Sequence, residues 1–186
     1  MPAMSLAIRL LEPDDAAALF RLRRESLHAE PCAFLASPED DLASSEEAVR
    51  AMLTRAPEAV VFGARAPELV GLVGLHRGNQ RKAAHLANLW GLYVTGAWRG
   101  RGVGERLVRT AVAHARTLPG VSAVRLGVSE SAAGARRLYE RCGFVPWGTE
   151  PGAMRCDGRS LAECHMQLAL SAGEPPGATP KEGPHA

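Results

Sequence analysis

Residues 92–108 constrain what this chain can fold into more than any other stretch. They begin with Leu92, Tyr93 and Val94, a β-type run, and then place Gly100, Gly102 and Gly104 among Arg99, Arg101 and Val103. From there, Val103, Leu107, Val108, Ala111, Val112 and Ala115 recur at helical spacing. Glycine admits backbone conformations and close approaches that a Cβ forbids. Free backbone N–H groups at a helix start, helped by the positive end of the helix dipole, hold an anion. Arg99 and Arg101 add fixed charge and donors that match a phosphate. A strand, a glycine loop and a helix in this order form a cradle for a pyrophosphate.

Two common phosphate loops do not fit. The dinucleotide fingerprint needs a glycine where Glu105 stands, and a P-loop needs Gly-Lys-Ser/Thr at its end. On spacing alone, an ordinary glycine-rich strand-to-helix turn stays open. Further on, Leu126 and Val128 lie in a strand-like run. Ala135, Leu138, Tyr139 and Cys142 then share one helical face, and Gly143 stops that helix. Spacing leaves Tyr139 as either a packed aromatic or a reactive phenol.

Arg99-Gly100-Arg101-Gly102-Val103-Gly104 resembles the acyl-CoA-binding motif of the GNAT acetyltransferase superfamily, Gln/Arg-x-x-Gly-x-Gly/Ala. Ala135-x-x-Leu138-Tyr139-x-x-x-Gly143-Phe144 looks like the family's second signature. The resemblance implies acetyl-CoA as cosubstrate, its pyrophosphate on the amides of the loop from Arg99 to Gly104. It implies that Leu92, Tyr93 and Val94 pair with the pantetheine arm, and that Tyr139 is the general acid. It also implies direct transfer, without a metal, to a primary amine of unidentified kind. Two residues depart from the family pattern. Ala132 stands where many members have Asn, and Asn88 lies on the strand where some relatives carry a carboxylate base. His76 and His85 carry imidazoles, the side chain most often used as a general base, and are candidate bases, but the sequence assigns none. A catalytically silent acyl-CoA-binding regulatory domain, or an enzyme with another acyl donor or acceptor, stays open beside the acetyltransferase.

The expected fold class is α/β, a GNAT-like mixed and mostly antiparallel sheet flanked by helices. Strands are predicted at residues 6–10, 59–64, 69–76, 84–94, 123–128 and 161–170, the last after a hairpin turn at Asp157-Gly158. Helices are predicted from Pro13 to about His28 and over residues 46–54. A third helix follows the glycine loop, and a fourth starts behind Ser131 as its N-cap. Phe34 and Leu35, in the loop between the first two helices, either anchor it or line a substrate cleft. Glu150 and Glu163 are surface charges or meet a cationic amine.

A chain of 186 residues suits one core. Residues 1–170 are expected to form the N-acetyltransferase domain, and the Gly- and Pro-rich residues 171–186 a disordered tail. A net charge of +2 argues against a nucleic-acid partner. No long apolar run suggests a membrane span, and the start lacks a signal-peptide pattern, so a cytoplasmic protein is expected. A homodimer is left open. Cys32, Cys142, Cys156 and Cys164 show no metal-ligand spacing and are expected to be reduced thiols.

Overall fold

The computed structural model describes residues 6–170. In chain order they form β1 (Ala7–Leu10), α1 (Ala16–Ala29), α2 (Glu46–Leu53), β2 (Ala59–Arg65), β3 (Leu69–Arg77) and β4 (Leu86–Val94). After these come α3 (Val103–Thr117), β5 (Ala123–Ser129), α4 (Ala133–Arg141), β6 (Val145–Cys156) and β7 (Arg159–Ala169). The strands make one sheet in the order β1-β2-β3-β4-β5-β7-β6. Every neighbouring pair is antiparallel except β4 and β5.

Both faces of the sheet are covered, and side-chain alternation decides which helices cover which face. Along β2, Val60, Phe62 and Ala64 join a core with α3 residues such as Leu107, Val108 and Ala111. The intervening Val61 joins a second core with Leu19 and Leu22 of α1 and Val49 and Leu53 of α2. On β4, Ala87 and Leu89 face the first core, while Trp90 packs against the second. The same stretch of β4 therefore touches two separate compartments.

Two local expectations change. The first helix is preceded by a single 3-10 turn, Pro13–Asp15, where Asp15 accepts from the Glu12 N–H at 2.9 Å. The N-cap of α4 is Ala132, not Ser131. The Ser131 hydroxyl instead donates to the backbone carbonyl of Cys32 at 2.7 Å, so a long-range contact outcompetes the local cap. Residues 145–156, rich in Pro and Gly, form the first strand of the hairpin that turns at Asp157-Gly158. As the edge of the sheet, β6 absorbs Pro146, Pro151 and Gly152 through register shifts. The tail expected at residues 171–186 lies outside the described residues.

Candidate active site

The site opens where the one parallel pair separates. Residues 86–88 of β4 pair with residues 123–125 of β5, and no pairing continues beyond. A bulge bends β4 at that level. Leu72 faces Tyr93 and Gly74 faces Trp90, so β4 fits one extra residue into the interval. Gly91 takes the strain with φ +67°, in the left-handed region that glycine tolerates. The β5-facing backbone of the outer half of β4 is thus left without a strand partner. An isolated glycine inside a strand pattern signals such a bulge, and Gly91 was legible in that sense, although the motif reading passed over it.

The glycine loop ends in the same opening. Gly100 and Gly102 both have positive φ, +71° and +74°, and a Cβ at either would meet nothing within 4 Å. Their requirement is conformational, and the space above them is free for a ligand. Arg106 N–H to the Gly102 carbonyl is the first bond of α3, so the N–H groups of Val103, Gly104 and Glu105 have no partner within the helix. Gly104 serves packing too: a Cβ there would come within 2.9 Å of Leu138, so its absence lets α3 approach α4. The N-terminus of α4, which lacks a side-chain cap, faces the opening beside it.

These elements enclose a cleft of about 560 Å³. Leu92, Tyr93, Val94, Arg99, Gly100, Gly102, Val103 and Gly104 line it. Arg101 does not; its guanidinium lies 5.0 Å from the centre of the Trp98 ring. Arg99 is committed to protein partners, donating to the Val94 carbonyl at 2.8 Å and to Glu30 at 2.7 Å. The cation that the motif did not mark is Arg141, which lines the cleft from the end of α4. It shares Glu105 with Arg109, and hydrogen bonding from Arg109 holds the Glu105 carboxyl below its usual range. Glu30, Phe34, Trp98, Ala132, Ala135 and Leu138 also line the cleft. Ala132 leaves that part of the wall without a side-chain donor.

Tyr139 stands behind this wall rather than in it. It is 6 % exposed, its ring lies edge-on to Phe144 at 5.9 Å, and it belongs to the α3–α4 core. Burial pushes its phenol far above its ordinary range, so it stays protonated at neutral pH. Its neighbours Ala135 and Leu138 do line the cleft. Tyr93 is tied to the opposite compartment: its hydroxyl donates to Glu25 of α1 at 2.9 Å, and burial with that contact pushes it up to about 12.

The chain from 30 to 41 closes the cleft from the α1–α2 side. Arg23 of α1 holds Asp41 through two hydrogen bonds of 3.0 and 2.9 Å, with Phe34 stacked on the guanidinium at 5.0 Å. Leu35 does not contribute; it is 72 % exposed. Cys32 and Cys156 form a disulfide, which overturns the expectation of four reduced thiols. They lie 124 residues apart, and only the meeting of this loop with the β6–β7 hairpin brings their Cα atoms to 5.5 Å. Cys142 and Cys164 are free. The candidate histidines lie away from the bulge. His76 is at the far end of β3 opposite Asn88, where burial and then Arg55 depress its pKa, and His85 precedes β4.

The model of the acetyltransferase (GNAT) family matches residues 18–144, more than half of the chain. The chain belongs to the GNAT family. Solved structures agree on the fold. An acetyltransferase of the GNAT family from Streptococcus pneumoniae aligns at 20 % identity, with 89 % of this chain, 99 % of that chain and a TM-score of 0.79. YncA of Salmonella typhimurium, a putative acetyltransferase solved with acetyl-CoA, aligns at 21 % identity over 94 % and 99 %, with a TM-score of 0.77. A ribosomal-protein-alanine N-acetyltransferase from Brucella melitensis gives 22 %, 88 %, 99 % and 0.75 in the same order. No curated protein matches this GNAT chain. Among its described residues, no helix is long and apolar enough to cross a membrane.

Proposed function

We propose that this GNAT protein transfers an acetyl group from acetyl-CoA directly to a primary amine. One observation carries the reading: the free amides at the start of α3 and the unpaired edge of β4 line a single cleft. The amides of Val103, Gly104 and Glu105, with Arg141 beside them, suit a pyrophosphate. The outer half of β4 suits an extended amide-bearing arm, which would take the backbone bonds that β5 leaves open. Acetyl-CoA supplies an activated thioester there. Backbone N–H groups around Leu92 to Val94 are the donors nearest the bulge for a developing oxyanion. Tyr139 is the proposed proton donor to the departing sulfur. Its burial keeps it protonated, and its neighbours on α4 line the cleft.

Acetyl-CoA bound to the native state alone raises the melting temperature by mass action. Gly102→Val puts a β-branched residue at φ +74° in the cradle and is expected to abolish that rise. An unchanged response in the variant excludes the phosphate cradle. Release of free coenzyme A across a panel of amines then reads the reaction itself. A catalytically silent acyl-CoA-binding domain is the second reading, favoured by Asn88 on β4 and Ala132 in the wall. Binding without turnover on any amine supports it.

A further inference from the structure

The α1–α2 face of the sheet carries a second group of polar side chains, level with the β4 bulge. Asn88 pairs with Arg125 in the last β4–β5 pair, and two and four residues further along β5 Gly127 and Ser129 lie where the strands have parted. On the other side of β5, Gly127 faces His165 and Ser129 faces Glu163. Val124, Leu126 and Val128 occupy the α3–α4 core. The alternate positions of β5, and their β7 partners, therefore point to the opposite face.

Gly127 is a notch in that row. A Cβ there would collide with the Glu163 carboxylate, whose carbon and both oxygens lie over it. Glu163 thus leans from β7 across β5, towards the place where β5 parts from β4. Its side chain is 22 % exposed, with His165 Nδ1 at 3.9 Å, and His165 Nε2 lies 3.3 Å from Glu150. The imidazole is stacked on Trp147, with ring centres 5.3 Å apart. A second observation marks the same face as awaiting a polar ligand. Arg23 Nη1 is the buried side-chain polar atom without a partner among the described residues. It belongs to a side chain 6 % exposed and lies 3.6 Å from the Cβ position of Gly91 in the bulge. Buried donors are rarely left unpaired, and an oxygen of a bound acceptor would satisfy this one.

We propose that Glu163 is the general base for the acceptor amine, which reaches the β4–β5 opening from the α1–α2 face. The proposal rests on the amine-acetyltransferase reading above. An N–H bond of the ammonium breaks and its proton passes to a Glu163 carboxylate oxygen. The freed nitrogen pair forms the C–N bond to the thioester carbonyl carbon. The C–S pair leaves with sulfur, which takes its proton from Tyr139, and the nitrogen's second proton restores that phenol as the amide forms. Glu163, open to solvent, returns its proton there.

The test compares an alkylamine with an aromatic amine that is already neutral at the assay pH, for the full chain and E163Q. With the alkylamine, kcat/KM is expected to fall about 10²–10⁴-fold in E163Q. With the aromatic amine, which needs no prior deprotonation, the fall is expected to stay under about tenfold. Acetyl-CoA affinity and melting temperature should match the parent. Gly127→Ala displaces the carboxylate without touching it chemically and is expected to reproduce part of the alkylamine loss. Combined with E163Q it should add nothing, as for two changes acting through one group. Equal losses with both amines, or an undiminished rate in E163Q, overturn Glu163 as base while leaving the acetyltransferase reading intact. A parent that turns over neither amine overturns both.

Discussion

The two sides of β4 are built in different ways. On the α3–α4 side, the glycine loop and the strand leading into it fall within residues 92–105, and backbone N–H groups without helix partners face the cleft. On the α1–α2 side, the contacts are between side chains that are distant in sequence: Arg23 with Asp41, Tyr93 with Glu25, Cys32 with Cys156, Glu150 with His165. Recognition by backbone amides depends on local conformation, which glycine sets within a few residues. Recognition by side chains depends on which elements meet, so it changes with every packing choice. The first side suits a constant partner, and the second a variable one.

The sharpest way to break this division is at Tyr139, whose proposed role as proton donor belongs to the first side. Tyr139→Phe keeps the ring against Phe144 and deletes the proton, so kcat is expected to fall about 10²–10⁴-fold. Acetyl-CoA affinity should hold. Steady-state kinetics decide it, and a kcat within about twofold of the parent leaves Tyr139 a packing residue. Because the phenol is pushed above its ordinary range, the parent should show no loss from Tyr139 ionisation on the alkaline side up to about pH 10.

Next in size is Asp41→Ala on the second side. The pair is buried, with side chains 6 % and 9 % exposed, and removing one partner strands the guanidinium. Unfolding free energy is expected to drop by about 3–5 kcal/mol, read from the denaturant midpoint. Acetyl-CoA affinity in the folded variant should change little; a parallel collapse would join the two sides into one unit. Cys32→Ser tests the disulfide of the same loop. It is expected to cost about 2–4 kcal/mol under oxidising conditions and nothing measurable in strong reductant.

The smallest effect is expected at Asp15, away from both compartments of the site. Hydrogen bonding from Arg9, with the charges of Arg9 and Arg65, holds its carboxyl below the usual range. A depressed carboxyl stabilises the fold above its unfolded pKa and loses that contribution as pH falls through the folded one. Asp15→Asn is expected to cost up to about 1 kcal/mol at pH 7, since Arg9 is exposed and Arg65 half-exposed. The difference should close below about pH 4, and thermal melts across that range measure it.

Much of the first side was legible in the residues. The helical repeat from Val103 to Ala115 and the glycines at 100 and 102 needed only local rules. Gly91 and Gly127 also carried a readable sign, a glycine interrupting a strand, but its two meanings differ. One takes a bulge with positive φ; the other leaves room for a carboxylate from a neighbouring strand. Nothing in a linear pattern separates these cases. Residues 145–156 carry Pro and Gly within a strand, which the edge position of β6 allows.

Sequence by itself determined the α/β class, the mostly antiparallel sheet flanked by helices and the glycine loop between β4 and α3, because each rests on periodicity or on the conformations that one residue type permits. Tertiary structure alone decided the remainder. The depth of Tyr139 depends on how closely α4 packs against β5 and α3, a distance set partly by the missing Cβ of Gly104. The fate of Ser131 and the pairing of Cys32 with Cys156 depend on where the 30–41 loop meets the last hairpin. Glu163 reaches towards the opening only because β7 is inserted between β5 and β6, placing it beside Gly127. Such contacts join residues whose separation along the chain carries no signal, since a few kcal/mol spread over many packed side chains selects one arrangement.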